Sequence, residues 1–301
     1  MITQYHYKKV TWIDLENPTA EDIAILIKDY ALHPNWGNEL LVPSERAKTD
    51  THEHAFYAVL HYPDHPSYHH ESRDLEIDYV VTDKVLITAH YEPIDIFLDT
   101  AKKISVENTL DHHSVGNGFE LFLMLNNHLY RGLREEIEPL QKEIRRIESE
   151  IFQGNEFHMV KELSSIQRKL LDFKQTMRTH KIILHSLELQ AHNLVPKIEI
   201  NQDTIFREYF RVENTLENNY ELVKELRDTN DSLLTSKNND ITKRFTMMAF
   251  FTFPLTLIAM ILLAPESPAI FHTEHGFWII IVILLVFFVF MYGYFAHKKW
   301  L

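Results

Sequence analysis

Phe245–Ala264 (FTMMAFFTFPLTLIAMILLA) and Phe277–Phe295 (FWIIIVILLVFFVFMYGYF) decide how this chain reads. Neither run contains a charged residue, and the break between them, PESPAIFHTEHG, is short and polar. Each run holds about 20 residues, which at about 1.5 Å per residue crosses a hydrocarbon core of roughly 30 Å. Both therefore read as transmembrane helices (245–264 and 277–296), with lipid as their surroundings and residues 265–276 as an extracytoplasmic loop.

The flanks set the orientation. Lys243 and Arg244 precede the first run, Lys298 and Lys299 follow the second, and the break carries Glu266 and Glu274 but no Lys or Arg. Excess Lys and Arg stays on the cytoplasmic side. The expectation is a multi-pass protein of the cell (inner or plasma) membrane with both termini cytoplasmic, 297–301 forming a basic tail. The start, MITQYHYKKVTW, lacks the apolar core of a signal peptide, so the hairpin itself is expected to direct insertion. With no cysteine, disulfides and thiolate metal sites are excluded. A net charge of −13 argues against nucleic acid as a partner and suits a protein that handles cations.

Residues 1–117 read as an α/β domain. Thr11–Leu15 is a short alternating strand, and Thr19, with Asp22 three residues on, caps a helix running to about Tyr30. Ala55–Tyr62, Leu75–Val81 and Val85–His90 are rich in Val, Ile, Tyr and Phe, and Asp83-Lys84 forms a hairpin turn between the last two. From about Gly118 the period changes. Leu133, Ile137, Leu140, Ile144, Ile147 and Ile151 step by four and three, Gly154-Asn155 interrupts, and Met159 to about Leu189 is again amphipathic. Residues 118–200 are thus an antiparallel helical hairpin, ended by Pro196. The third helix, a stalk over 201–244, carries Ile205, Tyr209, Val212, Leu216, Val223, Leu226 and Leu233 and enters the first membrane segment without a Pro or Gly. Continuous to Leu263 it is about 60 residues, roughly 90 Å. A helix of that length is expected to pack with copies of itself around an axis, and such a bundle crossing a membrane is a pore. The heptads fix a bundle but not its number of chains.

Several stretches resemble the CorA family of divalent-cation channels, which includes the zinc-transporting ZntB branch. The resemblance rests on Trp12–Thr19 (WIDLENPT), Leu32-His33-Pro34, the strand ending Val59–Pro63 (VLHYP), and Leu86–His90 (LITAH) before Glu92-Pro93. At the membrane it rests on Asn239, Lys243, Pro254-Leu255-Thr256 with Ile258-Ala259, and the terminal Lys298–Leu301 (KKWL). It covers essentially the whole chain. It implies an α+β membrane protein: a homopentameric funnel of cytosolic α/β domains, a stalk continuing as the pore-lining first membrane helix, and a second membrane helix outside it.

The family's signature at the outer end of the first membrane helix is Gly-Met-Asn; counted from Pro254, those positions here are Leu263, Ala264 and Pro265. An amide ring suits an ion that keeps its hydration shell, and leucine and alanine supply no such oxygens. The resemblance then implies passive conduction of Mg2+ or another divalent cation, with altered selectivity. It places Asn239, Thr242, Phe245, Ala249, Phe253, Thr256, Met260 and Leu263 along the pore and Pro265 and Glu266 at the outer mouth. Phe245 and Phe253 would be constrictions of the dewetting kind. Thr256 could equally bond its own helix. Asp203 lies near a stalk position where family members sense cytosolic metal, although a solvated charge is the simpler reading.

Two alternatives stand beside this reading. One is a non-conducting pentameric sensor or scaffold that keeps the fold. The other is a zinc transporter, drawn from the histidines at 52, 54, 61, 65, 69, 70, 112 and 113; His-x-His on a strand turns both rings to one face. Nothing enzymatic appears, for the soluble part has no glycine-rich phosphate loop, Walker lysine or nucleophile motif, and no cofactor is expected.

Overall fold

The computed structural model of the chain describes residues 2–7, 9–63, 74–94, 97, 99–103, 116–194, 202–264, 273 and 275–297. Its strands are β1 (Ile2–Tyr7), β2 (Val10–Glu16), β3 (Lys48–His52), β4 (Ala55–Tyr62), β5 (Leu75–Val81) and β6 (Val85–His90). Its helices are α1 (Ala20–Tyr30), α2 (Pro34–Glu39), α3 (Gly118–Phe152), α4 (Glu156–Leu194), α5 (Gln202–Leu263) and α6 (Gly276–His297). Two compact units divide inside α5, Met1–Asp228 and Thr229–Leu301.

In the first unit the six strands form one sheet in the order β1-β2-β6-β5-β4-β3. Only β2 and β6 pair in parallel, Trp12 opposite Leu86; the other pairs are antiparallel. Alternation sends Ile13, Leu15, Tyr57, Val59, Val80, Ile87 and Ala89 to one face, where they pack against Ile23, Leu26, Leu32, Trp36 and Leu40 of α1, α2 and their connections. Helix α1 begins as its sequence dictates: Thr19 accepts from the Asp22 N–H, and Asp22 accepts from the Thr19 N–H at 3.0 Å.

The opposite face carries α3 and α4. Tyr79 meets Phe122 edge-on at 5.0 Å, and Tyr62 hydrogen-bonds Tyr79 and Asn126. Gly118 closes this contact, because a Cβ there would stand 2.3 Å from the Thr82 carbonyl oxygen. The helical hairpin and the α/β region, which periodicity separates at 117/118, thus share one sheet. Gly154 turns the hairpin with φ 99°.

Helix α5 is continuous over 62 residues, so about 93 Å. Within the first unit it runs antiparallel to α4: Lys174 pairs with Glu217 at 2.5 Å and Arg227 donates to Gln167 at 3.0 Å. The buried Glu208 carboxylate is faced by Arg211 at 2.7 Å and by Arg134 and Arg131 of α3 at 3.6 and 3.9 Å.

Candidate ion-conduction path

In the second unit, α5 and α6 each hold an apolar window long enough to cross a membrane, and none of the α5 window is buried. They pack through aromatic rings: Phe251 lies 5.6 Å from Phe288 and 5.4 Å from Phe295, and Phe250 lies 6.0 Å from Phe295.

A helix turns about 100° per residue, so positions 242, 245, 249, 253, 256, 260 and 263 fall within an arc of about 80°. Phe251, at the centre of the contact with α6, stands about 160° from the middle of that arc. Accordingly Met247, Phe251, Pro254, Leu255 and Ile258 are half-buried. The arc is open: Phe245 is 67%, Phe253 74% and Met260 69% exposed, Thr242 and Thr256 are exposed, and Ala249 is half-buried. Asn239 is exposed about 40° beyond the arc's edge. These seven residues thus sit on or beside one uncovered strip. The Leu263 and Asp203 side chains, and all of Pro265 and Glu266, lie outside the described residues.

The strip is chemically bland. From Phe245 to Met260 it offers phenyl rings, a methyl, a thioether and one hydroxyl, and that hydroxyl is engaged: Thr256 Oγ1 donates to the Thr252 carbonyl at 2.8 Å. Thr246 and Thr252 likewise bond the Thr242 and Met248 carbonyls at 2.8 and 2.9 Å. A bonded threonine presents its methyl group, so the polarity read from Thr256 is spent within the helix.

The histidines divide. His52 ends β3 and His54 precedes β4, with Glu53 at φ 49° between them, so the expectation of His-x-His on one strand face is corrected: the pair straddles a turn. His61 donates to the Ser44 carbonyl at 2.9 Å and lies 3.5 Å from Glu76, whose hydrogen bond holds the imidazole above its ordinary range. His65, His69, His70, His112 and His113 lie outside the described residues. Among the described residues no three His, Asp or Glu side chains stand ready to hold a metal ion.

Sequence reasoning missed two buried polar networks. Trp12 donates to Thr88 at 2.9 Å, Thr88 donates to Asp14 at 2.5 Å, and His90 reaches Asp14 at 3.4 Å and the Glu92 carbonyl at 2.6 Å. On the other face of the sheet Asp78, fully buried, accepts from Tyr57 at 3.0 Å; burial pushes its carboxyl well up, and the Glu76 charge adds to this. Their signal was a carboxylate set among apolar strand residues: Asp14 in WIDL, and Glu76 and Asp78 in LEIDYVV.

The CorA-like Mg2+ transporter protein family matches the chain over residues 7–299. The chain belongs to the CorA family. A cobalt/magnesium transport protein CorA from Thermotoga maritima is 23% identical over 97% of this chain and 83% of its own length. A magnesium transport protein CorA from Helicobacter pylori is 20% identical over 97% of this chain and 91% of its own. Among solved structures, the complete CorA magnesium transporter from Methanocaldococcus jannaschii superposes with a TM-score of 0.76 at 16% identity, covering 97% of this chain and 92% of that one. The full-length CmaX protein gives 0.69 at 16% identity, over 97% and 89% of the two chains. The CorA fold, a soluble α/β domain with a long helix leading into two apolar helices, is therefore this chain's fold. As a CorA-family chain it is a membrane protein of a divalent-cation transporter family.

Proposed function

We propose that this CorA-family chain assembles as a homopentameric channel that passes divalent cations passively, Mg2+ first among them, with both termini cytoplasmic. The supporting observation is the open strip on α5: α6 covers the opposite side, and the strip coincides with the positions that resemblance assigns to a pore. Five such strips around an axis make apolar rings at Phe245 and Phe253, constrictions that close by dewetting and open when the helices tilt apart. Leu263-Ala264-Pro265 supplies no amide ring, so selection among hydrated divalent ions is relaxed. The driving force is the gradient plus roughly 2.3 kcal/mol per charge per 100 mV of membrane potential.

The test is flux through purified protein in liposomes holding a magnesium-sensitive dye, repeated with cobalt and zinc, with Phe245→Ser in parallel. Entry of Mg2+ through the wild type, and faster leak through Phe245→Ser, is the expected result. A second reading, a non-conducting pentameric sensor or scaffold, draws on the same missing amide and on the apolar strip. Silence of both proteins in every ion would favour it over the channel.

A further inference from the structure

Uncovered residues on α5 extend past the open arc: Met248, about 100° from its middle, is 62% exposed. Exposure alone therefore does not turn Phe253 rather than Met248 toward an axis. What singles out the arc is the opposite side of the helix, and one side chain is central to holding that side. Phe251 stands 5.6 Å from Phe288 and 5.4 Å from Phe295, its ring tilted 44° and 55° to theirs. Phe288 and Phe295 are seven residues apart, so about 10.5 Å along one line of α6. The Phe251 ring is thus seated midway between them, in the tilted arrangements that aromatic pairs favour. A ring seated between two others meets one of them when its helix slides, and leaves both when its helix turns.

Two observations make this seat decisive for α5. Helices in lipid gain no hydrophobic energy by touching, so the fit of side chains sets how they pair. Phe295 carries that fit: it is 6% exposed, whereas Phe290 on the same helix is 71% exposed, and the Phe250 ring flanks it at 6.0 Å. Pro254, three residues beyond Phe251, has no N–H for the Phe250 carbonyl, so the backbone of α5 is loosened at the level of the rings. Side-chain contacts then hold the setting that the weakened backbone does not.

We infer that Phe251, seated between Phe288 and Phe295, is a positioning residue of the conduction path: it fixes the rotational setting of α5 and so turns Phe253 toward the axis. The inference rests on the channel reading, in which the open strips of several copies meet. Phe251 acts through Phe253, two residues and about 3 Å farther along the helix, and faces away from the ion path. Without its ring α5 turns, Phe253 leaves the axis and Met248 approaches it.

The test is disulfide formation in membranes under mild oxidation, in a chain that has no cysteine of its own. Yields of linked dimers at Phe253→Cys and at Met248→Cys are compared in the otherwise wild-type chain and in chains that also carry Phe251→Ala, Phe251→Tyr, Phe295→Ala or Phe290→Ala. In the wild-type background Phe253→Cys should link well above Met248→Cys. Phe251→Ala and Phe295→Ala should bring the two yields within about twofold of each other, as expected when a packing contact sets the helix orientation. Phe251→Tyr, which keeps the ring, and Phe290→Ala, at an exposed position, should retain the wild-type preference. Light scattering confirms assembly, and if Phe251→Ala does not assemble, Phe251→Leu takes its place. A purely structural role would lower the thermal midpoint and leave the ratio of yields unchanged. That ratio unchanged in Phe251→Ala overturns the positioning role while the axis stands. Equal yields in the wild-type background remove the axis, and the positioning role with it.

Discussion

His180 carries no motif, yet burial fixes its proton chemistry. Fully enclosed between α4 and the sheet, it donates from Nε2 to the His61 carbonyl at 2.7 Å and accepts at Nδ1 from the Tyr130 hydroxyl at 2.9 Å. Burial, with His61 adding in the same direction against the backbone bond, lowers its pKa from 6.5 to about 4. The folded state then binds fewer protons than the unfolded state between those values, so stability falls as pH drops from 6.5 towards 4. At about 1.4 kcal/mol per pH unit the loss approaches about 3 kcal/mol. His180→Gln, which keeps a donor for the His61 carbonyl, should remove about one proton from the acid limb of a pH–stability profile. An unchanged slope would show that His180 is protonated in the fold. His90 works in the opposite sense: the Asp14 hydrogen bond and charge and the Glu92 carbonyl outweigh burial and raise it, so its contribution is full at low pH and fades as pH rises through the folded pKa. Thr256 gives a second residue-level expectation. Its hydroxyl is bonded to the Thr252 carbonyl, so on the channel reading Thr256→Val should keep ion flux within about twofold of wild type.

The elements show what patterning can and cannot convey. Strands β4, β5 and β6 follow their apolar runs because both faces of the sheet are covered, and the Thr19 cap and the Gly154 turn stand where residue chemistry put them. Strands β1 (ITQYHY) and β3 (KTDTH) were not read from the sequence. They are the two edges of the sheet, largely half-buried, and an edge strand needs no apolar alternation. Helix α2, PNWGNE, is too short for a period to register. The open strip on α5 was legible because one face of a helix follows from spacing alone. The hydroxyl bonds that remove its polarity were not, since a sequence does not show which acceptor a threonine chooses. Nor could spacing show that residues as distant as Arg131, Arg134 and Glu208 meet. That cluster fastens the first part of α5 to α3, and removing the buried acid leaves three guanidinium groups facing one another. Glu208→Ala should therefore destabilise the protein by about 2 kcal/mol, and Glu208→Gln by less, read as midpoint shifts in denaturant. Equal midpoints for Glu208→Ala and wild type would show that the carboxylate does not hold the helix.

At the scale of the whole molecule the question is what covers a helix whose apolar window has no fully buried residue within one chain. Lipid and other copies of α5 are the two coverings available in a bilayer, and the two sides of the α5–α6 pair need not share one answer. The open arc at Phe253 and Met260 faces away from α6, and on the pentameric reading five such arcs meet at the axis. Val289 of α6, 58% exposed, would instead meet lipid. The chain has no cysteine, so single substitutions report without background. Under mild oxidation in membranes, Phe253→Cys and Met260→Cys should form disulfide-linked dimers in high yield, because thiols around a narrow axis approach to bonding distance. Val289→Cys should form few, and should react instead with an apolar thiol reagent delivered through the lipid. Light scattering of the detergent-solubilised wild type, corrected for bound detergent, should give five chain masses. Another integer would replace the pentamer while leaving the axial arrangement intact. Cross-linking at Val289 that equals or exceeds that at Met260 would remove the axis itself, and with it the reason for assigning the open strip to a pore.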